Sequence, residues 1–182
     1  MQVRNTAHRY GTIARTLHWG MAALVIMAWL IGTFGDDLPK GTARDTGLFV
    51  HLTVGLSVLV LVVVRAAWRL ADPPPAPEPS RLGIWGERGS RAAHYALYAL
   101  LVAVPVVGII VQFAGGHGLP VLGLLTIPSP WQADRALAHR IRDLHELMAD
   151  ALVILAGLHA AAALVHHMVL GDRTLTRMLP AR

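Results

Sequence analysis

Four stretches without a single Asp, Glu, Lys or Arg set the terms on which this chain can fold: Leu17 to Gly35, Thr46 to Val64, Ala92 to Ala133 and Ala151 to Gly171. Each is near or above the ~20 residues that a helix needs to cross a bilayer. In lipid a helix satisfies its own backbone hydrogen bonds, which an isolated strand cannot do. With 54% hydrophobic and 15% charged residues, composition points the same way. The chain therefore reads as all-α, an integral membrane four-helix bundle forming one domain over 1–182. Its helices are expected at about 14–35, 46–70, 91–113 and 138–170.

The third stretch is too long for one span. Gly115, Gly116 and Gly118 with Pro120 break it, ending the helix near Phe113, and Leu119 to Trp131 is expected at the membrane surface. Arg4, Arg9 and Arg15 precede the first apolar core as in a signal peptide, but three further spans argue for a retained helix. Four helices put both termini on one side. Eleven basic residues fall there (Arg4, Arg9, Arg15, Arg65, Arg69, Arg81, Arg88, Arg91, Arg173, Arg177, Arg182) against Lys40, Arg44, Arg135, Arg140 and Arg142 on the other. That excess places both termini in the cytoplasm. The segment "ADPPPAPEPSRLGIWGERGS", rich in proline and glycine, is expected to be an extended linker and not a helix.

The sequence has no cysteine, which excludes disulfides, thiolate haem ligands, c-type haem attachment and iron–sulfur clusters. No hydrolytic Ser/His/carboxylate arrangement or phosphate-binding glycine loop is present. The net charge of +5 is scattered among apolar spans, unlike a nucleic-acid site. Ten histidines remain, and ionisable groups inside a membrane helix point to function by default. His18 lies at the inner start of the first helix, His51 at the outer start of the second, and His145 near the outer end of the fourth. His159 follows His145 by fourteen residues, roughly 21 Å and nearly four whole turns, so both face the same way. One helix thus serves two stacked sites, His51 with His145 and His18 with His159. Spacing alone allows two bis-histidine haems or a histidine-lined path for zinc or iron. Gly55 and Gly157 are read as making room for a flat macrocycle, or as letting helices approach closely.

"TLHW" around His18, "VHLTVG" around His51, "VVVRAAWRL" closing the second helix, "DLHE" around His145, and "GLHAAAALVHH" followed by "DRTLTRMLP" resemble the prokaryotic cytochrome b561 family. These are small four-helix, di-haem membrane cytochromes. The resemblance covers nearly the whole chain. It implies two haem b groups, with His18 and His159 on the inner iron and His51 and His145 on the outer. It further implies a multi-pass protein of the bacterial cytoplasmic membrane that works as a quinone-linked electron carrier. The member most resembled oxidises periplasmic superoxide to oxygen and reduces ubiquinone on the inner side. The alternative is an anchor subunit that passes electrons from a periplasmic dehydrogenase or hydrogenase to quinone.

Around this frame, Arg15 and Arg65 are candidate partners of haem propionates, since a guanidinium grips a carboxylate as a fork. Arg81, His94 and His166 are candidate quinone contacts, because imidazole can donate to a carbonyl and relay a proton. Lys40, Arg44, Arg135, Arg140 and Arg142 offer a positive field for an anion, largely cancelled by Asp36, Asp37, Asp45, Asp134 and Asp143 in the same loops. His8, His117, His139 and His167 read as exposed or interfacial. Trp19, Trp29, Trp68 and Trp131 read mainly as interfacial anchors.

Overall fold

The computed structural model describes residues 2–78 and 83–180. Four helices, α1 (Thr12–Phe34), α2 (Thr42–Ala71), α3 (Gly83–Ala114) and α4 (Arg135–Met168), carry most of the described backbone. All four are long and apolar enough to cross a membrane. Valine-rich α2 is helical although β-branched residues favour strands, as expected where lipid leaves no other partner for the backbone. Val54, Val58 and Val62, one turn apart, form its buried stripe, while Val60, Val63 and Val64 face outward. His51 lies one turn before Val54 and shares that inward face.

Helix α1 packs on α2 and α3 on α4, with α2 against α3, whereas α1 and α4 touch only sparsely. Among the described residues no large side chain is fully buried. Close-packed soluble cores look different.

Helix boundaries follow local chemistry. Helix α4 starts at Arg135 because the Asp134 carboxylate accepts a hydrogen bond from the Leu137 N–H, 3.0 Å away. Helix α3 ends in a Schellman turn: Gly116, at φ +74°, follows Ala114, the His117 N–H donates to the Gln112 carbonyl, and the Gly116 N–H donates to that of Phe113. The other end of α3 departs from expectation. Helix begins at Gly83, eight residues before position 91, so the extended linker is shorter than its composition suggested. The prolines stop at 79, and Arg88 lies over the Trp85 ring at 5.7 Å, a pairing that only a helical turn brings about.

The segment after α3 also differs. Where only an interfacial stretch was expected, Leu119–Val121 (β1) and Leu125–Ile127 (β2) pair as a small antiparallel hairpin. Leu122 (φ +52°), Gly123 (φ +72°) and Leu124 form the loop, closed by the Leu124 N–H donating to the Val121 carbonyl, and the first two have the positive φ common in tight hairpins. Gly123 lies against Phe49, and Leu119 is buried, so the hairpin covers the start of α2. The prolines that hid these strands lie in or beside a two-stranded ribbon, where the N–H that proline lacks costs little.

At the opposite end, three segments are laced together. Asn5 donates to the Asp72 and Pro73 carbonyls, its backbone N–H donates to the Asp72 carboxylate, and its Oδ1 accepts the Gly11 N–H. A Cβ on Gly11 would come within 2.3 Å of the Val3 carbonyl oxygen, so only glycine fits. Arg9 and Arg15 donate to the Leu179 carbonyl and Trp19 to that of Met178. Buried Arg177 donates to the His8 and Ala76 carbonyls at 2.9 Å each and pairs with Glu78. Both described chain ends therefore share this terminal end of the bundle, opposite the hairpin end.

Candidate functional site

Two pairs of imidazoles lie inside the bundle, one toward each end. At the hairpin end the His51 and His145 ring centres are 6.1 Å apart with planes at 81°. At the terminal end those of His18 and His159 are 6.3 Å apart with planes at 72°. A third ring, His94, stands 5.1 Å from His159.

The hairpin-end pair is held by a device used twice. The His51 Nδ1 lies 3.0 Å from the Ala28 carbonyl of α1, and the His145 Nδ1 lies 3.0 Å from the Val104 carbonyl of α3. A carbonyl only accepts, so each Nδ1 carries the proton and each Nε2 keeps its lone pair. One turn beyond each carbonyl stands a glycine. A Cβ on Gly32 would lie 3.0 Å from His51 Cε1, and one on Gly108 would lie 3.0 Å from His145 Cε1. For the His18 and His159 rings, no such hydrogen bond occurs among the described residues.

The other expected contacts are distributed around the terminal end. Arg65 donates from Nε to the Tyr98 hydroxyl at 3.0 Å and lies over that ring. Its charge is within electrostatic range of His18 and His159. Arg15 spends donors on the Leu179 carbonyl and the Thr12 hydroxyl. His94 donates from Nδ1 to the Ser90 carbonyl. His166 donates from Nδ1 to the Asp172 carboxylate at 2.5 Å. Burial pushes the Asp172 carboxyl up, but the His166 hydrogen bond and that from the Thr174 N–H outweigh it and hold the group below the usual carboxylate range. Arg81 lies outside the described residues. At the hairpin end, Arg44 is tied to Asp36 and to the Leu38 carbonyl, while Arg135, Arg140 and Arg142 are exposed.

Sequence reasoning passed over Gly32, Gly108, Tyr98 and Asp172. Nothing in the sequence separates Gly32 and Gly108 from Gly55 and Gly157, the two that were favoured. At the latter positions a Cβ meets no atom within 4 Å, so they serve no close helix approach. Asp172 did carry a signal, since Asp-x-Thr after a helix is the pattern of an Asx turn. Trp29 belongs to a missed contact as well, donating to Asp150 across the sparse α1–α4 face at 2.8 Å.

A membrane bundle with paired inward imidazoles and no thiol defines a class, the b-type membrane cytochromes. The profile of the prokaryotic cytochrome b561 family matches residues 9–181. The chain is 32% identical to the probable superoxide oxidase CybB of Yersinia pestis over 178 residues, 96% of this chain and 97% of that protein. It is 32% identical to cytochrome b561 homolog 2 of Escherichia coli over 180 residues (98% and 95%), and 31% identical to cytochrome b562 of Cereibacter sphaeroides over 180 residues (95% and 96%). The chain belongs to the prokaryotic cytochrome b561 family and is an electron carrier of that family, which implies haem b.

The residues present fit that group. Two imidazoles on opposite faces of one metal, each bonded at about 2 Å, place their ring centres about 6 Å apart. The two observed separations match this value, and the carbonyl-bound Nδ1 atoms leave Nε2 free for a metal. Among the described residues there is no cluster of three or more His, Asp or Glu able to hold a bare ion. A group that brings its own equatorial ligands needs only a pair.

Proposed function

We propose that the chain holds two haems b, His51 with His145 as axial ligands at the hairpin end and His18 with His159 at the terminal end, and that it oxidises superoxide and reduces ubiquinone. The hairpin end faces the periplasm and the termini face the cytoplasm of a bacterial cytoplasmic membrane. Two ring separations of 6.1 and 6.3 Å carry the reading. Bound by these pairs, haem b would supply one-electron transfer.

The residues around each pair do the rest. The Ala28 and Val104 carbonyls fix the tautomer and orientation of His51 and His145. Arg65, braced on Tyr98, keeps its two terminal nitrogens for an acidic group at the terminal end. His166, oriented by Asp172, takes a proton on the cytoplasmic side and gives it to a quinone oxygen, with His94 and Arg81 as further contacts. Two superoxide anions each lose one electron to become oxygen, and ubiquinone gains those two electrons and two protons to become ubiquinol.

Stopped-flow mixing of the purified holoprotein with superoxide tests this directly. Reduced b-type bands are expected to rise with superoxide and to decay when ubiquinone is added; no reduction by superoxide would remove the proposed donor. Stoichiometric copurification with a periplasmic dehydrogenase would favour the anchor-subunit role instead. Replacing His145 or His159 with alanine is expected to leave one haem per chain by pyridine haemochrome, and two haems with unaltered spectra in both variants would refute the ligand assignment.

A further inference from the structure

The two histidine pairs differ in one respect that bears on how they work together. At the hairpin end both rings donate Nδ1–H to a backbone carbonyl, Ala28 for His51 and Val104 for His145. At the terminal end, neither ring does so among the described residues. A hydrogen bond from Nδ1–H makes the imidazole a more basic ligand, and a more basic ligand favours the oxidised metal. Charge does not oppose the difference: Arg65, braced on Tyr98 at the terminal end, is half-buried, whereas Arg142, one turn before His145, is exposed and screened by solvent, and a cation favours the reduced metal.

The carbonyl of residue 28 or 104 is already an acceptor within its own helix, and a side chain one turn further on would stand in the path of the incoming ring. Glycine occupies that position in both helices. At Gly32 and at Gly108 a Cβ would meet Cε1 of the bound imidazole at 3.0 Å, closer than such contacts ordinarily run, and the ring would have to swing off its carbonyl to make room. The same carbonyl-to-glycine spacing of four recurs in α1 and α3 although the two helices share no evident sequence repeat.

Resting on the ligand assignment above, we propose that Gly32 and Gly108 are positioning residues that seat His51 and His145 on the Ala28 and Val104 carbonyls, and that this double tether makes the hairpin-end haem the lower-potential one of the two. Electrons then run downhill from the hairpin end toward the terminal end.

Redox titration of the di-haem holoprotein followed optically, with low-spin electron paramagnetic resonance on the same samples, tests both parts. Gly32→Ala and Gly108→Ala are each expected to raise the midpoint of the lower-potential haem and to shift its low-spin signal, while the other haem stays put and two haems remain bound. Gly89→Ala, where a Cβ meets nothing within 4 Å, is the control and leaves both midpoints in place. Unchanged midpoints in both glycine variants at full haem content would overturn the role of the glycines.

Should a glycine variant lose haem, His159→Ala decides the ordering without altering the tether. It leaves the hairpin-end haem alone, and that haem should titrate with the lower wild-type component. A single remaining haem with the higher midpoint overturns the proposal, whereas retention of both haems in His159→Ala overturns the ligand assignment beneath it.

Discussion

Asp172 stands four residues beyond the end of α4, and its carboxylate both orients His166 and caps the turn that follows through the Thr174 N–H. The group is held below the usual carboxylate range, so its contribution to stability is complete above that range and is lost only as the pH falls through the lower folded value. Replacing Asp172 with alanine should weaken docking of residues 171–178 by about 1–2 kcal/mol, the worth of a charged hydrogen bond at a partly exposed site. Amide exchange over that segment measures it, and the difference from wild type should vanish only below about pH 4. The histidines themselves were legible because ionisable groups in apolar helices stand out. Their supports were not, since a backbone carbonyl has no letter and one glycine looks like another. The loss is greatest at His51 and His145, where carbonyl and glycine come from the preceding helix, with carbonyls 23 and 41 positions back.

The spans follow from hydropathy almost directly, because lipid allows a long uncharged segment little besides helix. Segments outside lipid obey weaker rules, and there the chain departed from expectation. Helix α3 runs back to Gly83 through a stretch whose glycines argued against it, and the apolar piece after α3 folds into a hairpin despite Pro120, Pro128 and Pro130. The hairpin pairing is long on geometry and short on sequence signal, with Leu122 at φ +52° where Asn or Gly would sit comfortably. Leu122→Asn should therefore stabilise the protein by about 0.5–1 kcal/mol, read as a higher thermal midpoint of the detergent-solubilised holoprotein. Gly123→Val, at φ +72° and against Phe49, should lower it. A fall in midpoint for Leu122→Asn would mean that the leucine side chain contributes more than the turn costs.

At the scale of the molecule, the bundle is joined along α1–α2, α2–α3 and α3–α4 but sparsely along α1–α4, the face that must hold His18 opposite His159. What draws those two helices together is the Trp29–Asp150 hydrogen bond and the lacing of the terminal end, with Arg177 at its centre. Arg177→Ala should cost about 3 kcal/mol by stranding the His8 and Ala76 carbonyls. Arg177→Lys should restore little, because a single ammonium cannot reach both carbonyls and Glu78 as the planar fork does. Thermal unfolding, together with limited proteolysis of residues 2–11 and 171–180, reports both. None of this lacing was legible beforehand, since it joins segments 67 to 170 residues apart, mostly through main-chain oxygens. Helix α4 supplies half of each imidazole pair, and that fact reaches back to biosynthesis. On the proposed ligand assignment, a nascent chain halted before Arg135 would contain only unmatched rings, so porphyrin capture at either depth would wait until α4 has left the ribosome and swung in beside the first span.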